Sequence, residues 1–499
     1  MRFRADHLLL AGVFQAAVNG IWATNLNSTA STTPTFRTCT HLQTSLGSDI
    51  VQFSGPEYLN ASTNAWSLFN TESRPTCIVF PRQASHVQVA MTAIFQDKVH
   101  YAVKAGGHSA MTGWNTVQDG ILLVFSHMKN ISYDASKDTI TIQPGIHWDE
   151  ALAALEPLGV APLGGRMSDV GTGLLLGGGY SFIGGEHGFS CDAYVEVDVV
   201  LVSGKLVTAT AKNEYADLFR ALKGGANRFG IVTRYEVEAI HTGTNSDKDW
   251  FGGNIIYPNS SAEALIIATH KFTSTVSDPK AILLTTIVNT PNGTEIIAIL
   301  QLTLIYHGTS LPPSIFGDFL SIPATSTQLS PLSYIDTNSL LGSGAARGFG
   351  QRFGASAFSG PVDQYLNAFR VFNQFTLAVQ STMFLTVLAF TPILQSQVLA
   401  GRARGSNIFD PPAQNYAAVQ FAISTQPGIT QLPAEDEAAH QSALASIPRS
   451  PGFPLYMNES SEKQKVFATY TRYAELKETY AKYDPTRFNV RFTEGPAGL

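Results

Sequence analysis

The chain has three cysteines in 499 residues, none in a C-x-x-C pair, and its twelve histidines never form H-x-H or H-E-x-x-H. Those spacings are how a zinc site announces itself in sequence, so a metal-dependent chemistry finds no support. There is no G-x-S-x-G elbow and no Walker-type phosphate loop, which removes the serine-hydrolase and P-loop readings. Charged residues make up 14% of the chain, with a formal net charge of −6 and no cluster of five or more lysines and arginines, which argues against a nucleic-acid partner. Beyond the N-terminus no apolar run is long enough to cross a bilayer, so no membrane span is expected. Internal repeats are absent too. A hydrophobic content of 44% excludes a disordered chain and suits a globular one with sizeable cores.

Arg2 and Arg4 precede an apolar stretch from Leu8 to about Val18, followed by Gly20 and Ala23 as small residues at a cleavage point. This pattern reads as a signal peptide over residues 1–23, and the mature chain is expected to be secreted. N-x-S/T sequons begin at Asn27, Asn60, Asn130, Asn259, Asn292 and Asn458, so N-glycans are expected on some of them. In an oxidising compartment Cys39 and Cys77 are the natural disulfide pair, with Cys191 left over in an apolar neighbourhood.

Residues 24–73 are polar and read as irregular. Thr76 to Phe80 is a short strand. Ser85 and Gln88 suggest a capping box opening a helix with Val87, Met91, Ile94 and Phe95 on one face. Strands are expected at Val99–Val103, Gly120–Phe125 and Thr139–Gln143, then a helix from Trp148 stopped by Gly159. Val195–Val202 and Lys205–Thr210 form a hairpin about Ser203-Gly204. A short helix, Glu214 to Leu222, capped by Asn213, and a strand Gly230–Ile240 follow. From Trp250 the texture changes to longer β-runs: Ile282–Asn289, Glu295–Tyr306, Met383–Phe390 and Tyr416–Ser424, with a helix over Val362–Leu377. Ser460 or Ser461 caps a long C-terminal helix carrying Val466, Tyr470, Tyr473, Leu476 and Tyr480, and Asp484-Pro485 stops it.

Two stretches stand apart. Lys104-Ala105-Gly106-Gly107-His108-Ser109 places two glycines and a histidine directly after a strand. Without Cβ atoms the backbone there can approach a flat or anionic ligand closely, although a simple turn accounts for the loop taken alone. Residues 164–188 hold ten glycines in 25 positions, where the chain average of 42 in 499 predicts about two. The Gly171-x-Gly173-x-x-x-Gly177 spacing within it superficially suggests a dinucleotide fingerprint. No strand immediately precedes it, and Gly177-Gly178-Gly179 would break the helix that motif needs, so a loop wrapping a large ligand fits better.

These segments resemble, in order, the FAD-linked oxidoreductases with a PCMH-type FAD-binding domain, the vanillyl-alcohol oxidase superfamily, and within it the berberine-bridge-enzyme-like group. The resemblance is carried by Lys104 to Ser109, Gly145-Ile146-His147-Trp148, Gly164-Gly165-Arg166 through Gly179, and Gly188 to Asp192. It continues through Leu222 to Asn227 and Phe229 to Thr233, and at the C-terminus through Tyr456-x-Asn458 and Lys482-Tyr483-Asp484-Pro485. The middle of the chain is similar only loosely, with Gly405-Ser406-Asn407 its best anchor.

The resemblance implies an α+β fold: a two-part FAD-binding domain over 24–245, a substrate domain over 246–445 with an antiparallel sheet covered by helices, and a C-terminal segment, 446–499, returning to the FAD domain. It implies FAD linked covalently to His108, with Lys104, Gly106, Gly107, Ser109, Arg166, Ser168, Val170, Gly171, Gly173, Gly178, Gly179, Ile231 and Val232 around the cofactor. Many relatives add a second tether from a cysteine; Met167 stands there, so a single link is expected. Tyr456 would be the base or base-adjacent group, with Asn458 beside it. Structural roles are expected for His147, His187 and Cys191. The function implied is an oxidase passing hydride from an alcohol, amine, sugar or secondary metabolite to FAD and electrons to O2. An oxidative cyclase, a dehydrogenase with another acceptor, and a flavin-binding protein without turnover are the alternatives.

Overall fold

In this computed structural model residues 33–293 and 295–499 are described; the expected signal peptide and the Asn27 sequon lie outside the described residues. Short apolar runs in the first part pair into a sheet ordered β1-β2-β4-β3, made of β1 (Val51–Gln52), β2 (Cys77–Val79), β3 (Tyr101–Lys104) and β4 (Ile121–Val124). β4 runs parallel to both β2 and β3. Parallel strands need a crossover, and the helix Ala84–Asp97 supplies it, burying Val87, Met91 and Ile94 against the sheet. Its N-cap is Gln83, without a side-chain cap bond, so the expected Ser85–Gln88 capping box does not form.

The next seven strands are β5 (Ile131–Asp134), β6 (Thr139–Ile142), β7 (Val160–Ala161), β8 (Tyr194–Val200), β9 (Leu206–Thr210), β10 (Ile231–Glu238) and β11 (Ile240–His241). Five of them form an antiparallel sheet, β5-β6-β10-β8-β9, and β7 pairs with β11 apart from it. The two-residue β7 does precede the glycine-rich stretch, but the only helix there is the four-residue Gly173–Leu176, too short for a dinucleotide fold.

The third sheet has seven antiparallel strands: β12 (Trp250–Tyr257), β13 (Ala281–Asn292), β14 (Glu295–Tyr306), β15 (Ser326–Leu332), β16 (Gln351–Phe358), β17 (Met383–Ile393) and β18 (Tyr416–Thr425), ordered β15-β12-β14-β13-β17-β18-β16. Helices Ala262–Thr275, Val362–Ala378 and Ala434–Ser446 cover one face, packing on Leu283, Ile287, Leu302, Leu388 and Phe421. Alternation along each strand sends the intervening residues to the opposite, uncovered face. The whole is an α+β fold.

Three local expectations are corrected. Residues 34–63, read as irregular, contain helices Pro34–Leu46 and Pro56–Thr63, each started by a proline whose fixed φ suits the first turn. The C-terminal helix is broken: Val466–Thr469 is a short 3₁₀ turn, and the α-helix proper is Tyr473–Tyr483. Gln464 interrupts the longer helix by bonding both backbone groups of Ala355 in β16. The helix expected from Glu214 starts at Ala216, because Asn213 accepts from the amides of Thr210 and Tyr215 and closes a turn instead. The Cys39–Cys77 disulfide is present, and Cys191 is a buried free thiol.

The C-terminal segment folds back on the first part of the chain. The Arg228 guanidinium donates to the carbonyls of Asn489, Thr493 and Pro496, and Tyr101 Oη to Asn489. Among the described residues no helix is long and apolar enough to cross a membrane.

Candidate active site

One cavity of about 710 Å³ lies between the glycine-rich loops and the uncovered face of the seven-stranded sheet. The loop after β3 forms part of one wall. A Cβ on Gly106 would stand 2.7 Å from the Gly171 Cα and 2.7 Å from the His147 ring, so the two loops touch backbone to backbone. The amides of Gly106, Gly107 and His108 donate to no acceptor among the described residues. Backbone donors left open beside a cavity are what a phosphate-bearing or heteroaromatic ligand requires.

His108 is clamped. Trp66 stacks on it with ring centroids 3.9 Å apart, and the Trp66 indole N–H donates to the Gly344 carbonyl. On its edge, Nδ1 lies 3.4 Å from Asp169 Oδ2, and Arg347 reaches the same oxygen at 3.2 Å. Burial holds the imidazole pKa below its ordinary value, so the ring is neutral near pH 7.

A second constellation sits at the C-terminal motif. The Tyr456 hydroxyl oxygen accepts from the Tyr180 amide at 3.1 Å and from Asn458 Nδ2 at 3.0 Å, while the Tyr180 and Tyr456 rings stack at 3.7 Å. Burial pushes the Tyr456 phenol far up, so it stays protonated. Glu459 stands 3.5 Å from Arg166, whose other nitrogen donates to Thr391 Oγ1 in β17. Desolvation raises the Glu459 pKa, and Arg166 opposes that rise. Among the described residues, Arg166 and Glu459 are the only formally charged side chains lining the cavity, and they face each other.

The sheet face opposite is neutral. Register aligns Gln301, Thr286, Ala389 and Gln420 in one row across β14, β13, β17 and β18. The adjoining row is Val288, Val387, Ala422 and Phe353. All eight line the cavity, and the Gln420 amide has no partner among the described residues. Strands lie about 4.8 Å apart, so the two glutamines stand about 14 Å from each other.

Residues 75–210 match the family model described as an FAD binding domain. An uncharacterised FAD-linked oxidoreductase of Arthroderma benhamiae is 30% identical over 380 residues, covering 74% of this chain and 73% of the relative. The chain belongs to the FAD-linked oxidoreductases. An FAD-dependent monooxygenase of Arthrobotrys oligospora is 27% identical over 470 residues, covering 90% of this chain and 87% of that protein. In fold, the chain is similar to a carbohydrate oxidase from Microdochium nivale, with a TM-score of 0.74 at 18% identity, covering 92% of this chain and 100% of that one.

In this FAD-linked oxidoreductase, Gly106, Gly107, His108, Ser109, Arg166, Val170, Gly171, Gly173, Ile231, Val232, Tyr456 and Asn458 all line the cavity. Four of the expected cofactor residues do not. Lys104 turns away and donates to the carbonyls of Ala61 and Asn64, its pKa lowered to about 8 by burial. The Ser168 hydroxyl accepts from Asn338. Gly178 packs on Phe409 and Gly179 on Ser190, so these two admit neighbours rather than a ligand. A Cβ on Gly177 would fall 2.0 Å from Asn458 Oδ1, which shows how closely the C-terminal motif presses on the glycine loop. Asn458 donates to Leu174 O and Tyr456 Oη, so its sequon points into the cavity and leaves no room for a glycan.

Sequence reasoning missed Trp66, Asp169, Arg347, Glu459 and the Gln301–Gln420 row. Glu459 adjoins Tyr456-x-Asn458 and Asp169 lies inside the glycine loop, so position in a motif was a usable signal for both. Trp66, Arg347 and the glutamines carry no local signal.

Proposed function

We propose that this FAD-linked oxidoreductase is a secreted oxidase. It takes hydride from an uncharged, largely apolar molecule bearing an O–H or N–H, with FAD held covalently through His108 alone and dioxygen reduced to hydrogen peroxide. The observation that carries this reading is the cavity itself. Open backbone donors and a clamped, neutral histidine form one wall, and a neutral sheet face with an apolar row forms the other.

FAD supplies a two-electron acceptor when bound. The Gly106–Ser109 loop, the residues from Arg166 to Gly173, and Ile231-Val232 would hold it, and Met167 offers no thiol for a second link. Glu459 takes the substrate proton: its raised pKa brings it closer to a proton acceptor useful near neutrality, and Arg166 stabilises its ionised form. Tyr456 remains protonated and directs its hydroxyl at the substrate oxygen or nitrogen, fixed by the two donors that saturate its own oxygen. Gln420 offers an unpaired amide to a neutral hydroxyl or carbonyl further along the substrate. A row of neutral groups beside the apolar row of Val288, Val387, Ala422 and Phe353 favours a secondary metabolite over a sugar, whose many hydroxyls need many partners.

The export reading rests on the basic and apolar N-terminal pattern, and the Asn60, Asn130, Asn259 and Asn292 side chains stand on exposed residues where glycans would be accommodated.

The test is peroxide release by the purified protein on a panel of phenols, hydroxylated polycyclic compounds, amines and oligosaccharides. Turnover is expected with the hydroxylated apolar compounds, and Gln420→Leu should raise KM about tenfold by removing the amide. Equal turnover of cellobiose would overturn the substrate class. Reduced enzyme that reoxidises slowly in air would overturn the oxidase assignment. The Arthrobotrys relative, named a monooxygenase, raises one further reading, oxygen insertion, which ¹⁸O2 labelling of the product separates from peroxide formation.

A further inference from the structure

The apolar row on the uncovered face of the seven-stranded sheet does not stop where the cavity does. Register carries it from Phe353 through Ala422, Val387 and Val288 to Ile299 on β14. The first four side chains line the cavity, whereas Ile299 lies outside it and is 46% exposed. Two residues earlier on the same strand, Ile297 is 53% exposed and pairs with Thr290, two residues beyond Val288 on β13. Alternation fixes the face. Leu300 and Leu302 pack under the helices, so Ile297, Ile299 and the cavity-lining Gln301 point the other way. Along that face the apolar strip ends in polar groups on both sides: Gln301 bonds Asn254 at one end, and the exposed Glu295 stands at the other.

We propose that the strip Val288–Ile299–Ile297 is a tail subsite, holding an alkyl or prenyl chain of a substrate whose reacting end lies beside Glu459. The proposal rests on the uncharged, largely apolar substrate put forward above and adds the chain to it. Single exposed apolar side chains are ordinary on a protein surface, and Leu320 on the helix Pro313–Ser321 is one of them. Ile297 and Ile299 differ because they extend, in register, an apolar surface that already lines a ligand cavity.

Distance sets the reach. Thr391, which Arg166 touches beside Glu459, stands four residues from Val387 along β17, and Val387 stands two strands from Ile299. That is about 13 Å along the strand and about 10 Å across, or about 16 Å overall. A two-ring compound is shorter than this, so only a chain attached to it reaches Ile299. A chain can lie along such a strip with cover on one side only. A stable protein interface buries about 800 Å² on each partner, far more than two isoleucines ending at a carboxylate provide.

The test titrates the anaerobic holoenzyme with para-alkylphenols from butyl to decyl and reads Kd from the perturbation of the flavin absorbance. In the wild type, Kd should fall along the longer members by about twofold per methylene, since one-sided contact gives about half the free energy of full burial. The double variant Ile297→Asn/Ile299→Asn should flatten the series, and Leu320→Asn should leave it as in the wild type. A series that steepens on an enzyme releasing no peroxide upholds the tail subsite and overturns only the oxidase assignment. A wild type that binds no phenol of any length overturns the apolar substrate class and the tail subsite with it. Equal slopes in the wild type and the double variant overturn the tail subsite alone. If that variant then also loses binding to phosphatidylcholine vesicles, or loses a dimer seen in the wild type, the strip is a surface for lipid or for a second copy instead. Should the double variant fail to fold, a decylphenol carrying a diazirine at its chain end decides on the wild type. Its label should land on the peptide containing Ile297 and Ile299, and a label confined to other segments contradicts the proposal.

Discussion

Tyr180 holds Tyr456 twice: its ring stacks on the Tyr456 ring at 3.7 Å, and its backbone N–H donates to the Tyr456 hydroxyl oxygen at 3.1 Å. The two residues are 276 positions apart in the chain, so the C-terminal motif is anchored directly on the glycine-rich loop. The Arg166 guanidinium lies 5.6 Å from the Tyr180 ring centroid, which ties the Arg166–Glu459 pair to the same stack.

Tyr456→Phe keeps the stack and removes the acceptor. The buried Tyr180 amide and one Asn458 N–H then lose their partner, which costs about 1–3 kcal/mol. The expected outcome is a lower melting temperature together with a fall in kcat of about 100-fold or more. Loss of stability at unchanged kcat would assign the hydroxyl to packing only.

Glu459→Gln tests the proton acceptor. A base works when deprotonated, so the rate of flavin reduction should rise with pH through a limb set by Glu459. Desolvation raises that pKa, which places the limb above the ordinary carboxylate range. The Gln variant should lose about 10²–10⁴ in this rate and lose the limb. Stopped-flow reduction across pH, once a substrate is in hand, reads both.

His440 predicts an acid-sensitive stability. It is fully buried against Phe375 and Phe421, neither ring nitrogen has a hydrogen-bond partner, and desolvation lowers its pKa to about 4. The unfolded chain, with an ordinary histidine near 6.5, binds the proton more tightly than the folded one. Stability is therefore full above about pH 6.5 and falls as the pH drops towards 4, by about 3 kcal/mol in all. His440→Phe should flatten unfolding free energy between pH 6.5 and 4, as read by denaturant titration.

The Cys39–Cys77 bond ties the helix Pro34–Leu46 to β2 across a separation of 38 residues. On the chain-entropy estimate it contributes about 4 kcal/mol. The double alanine variant should melt well below the wild type, and a thiol assay on the denatured, unreduced wild type should report one free cysteine, Cys191.

The glycine-rich wall of the cavity was legible from the chain itself. Gly106-Gly107-His108 and Gly164 to Gly179 are contiguous stretches, and close packing demands glycine at positions such as Gly106, where a Cβ would meet the Gly171 backbone. The long strands were legible as well, since β13, β14, β17 and β18 carry apolar residues on both faces, with only scattered threonines and glutamines between them, and read as long β-prone runs. Which face each residue takes was not, because a one-residue shift of register exchanges the faces. The row from Gln301 to Gln420 exists only through that register. The clamp on His108 likewise joins Trp66, Asp169 and Arg347, positions with no local pattern in common, and Glu459 gains its raised pKa only when the fold buries it beside Arg166. By itself the sequence determined that the chain carries an FAD-binding domain with two glycine-rich loops, the first of them leading into His108. Tertiary structure alone decided which residues clamp that histidine and that the Glu459 carboxylate lines the cavity beside Arg166, because both depend on burial and on contacts between distant segments.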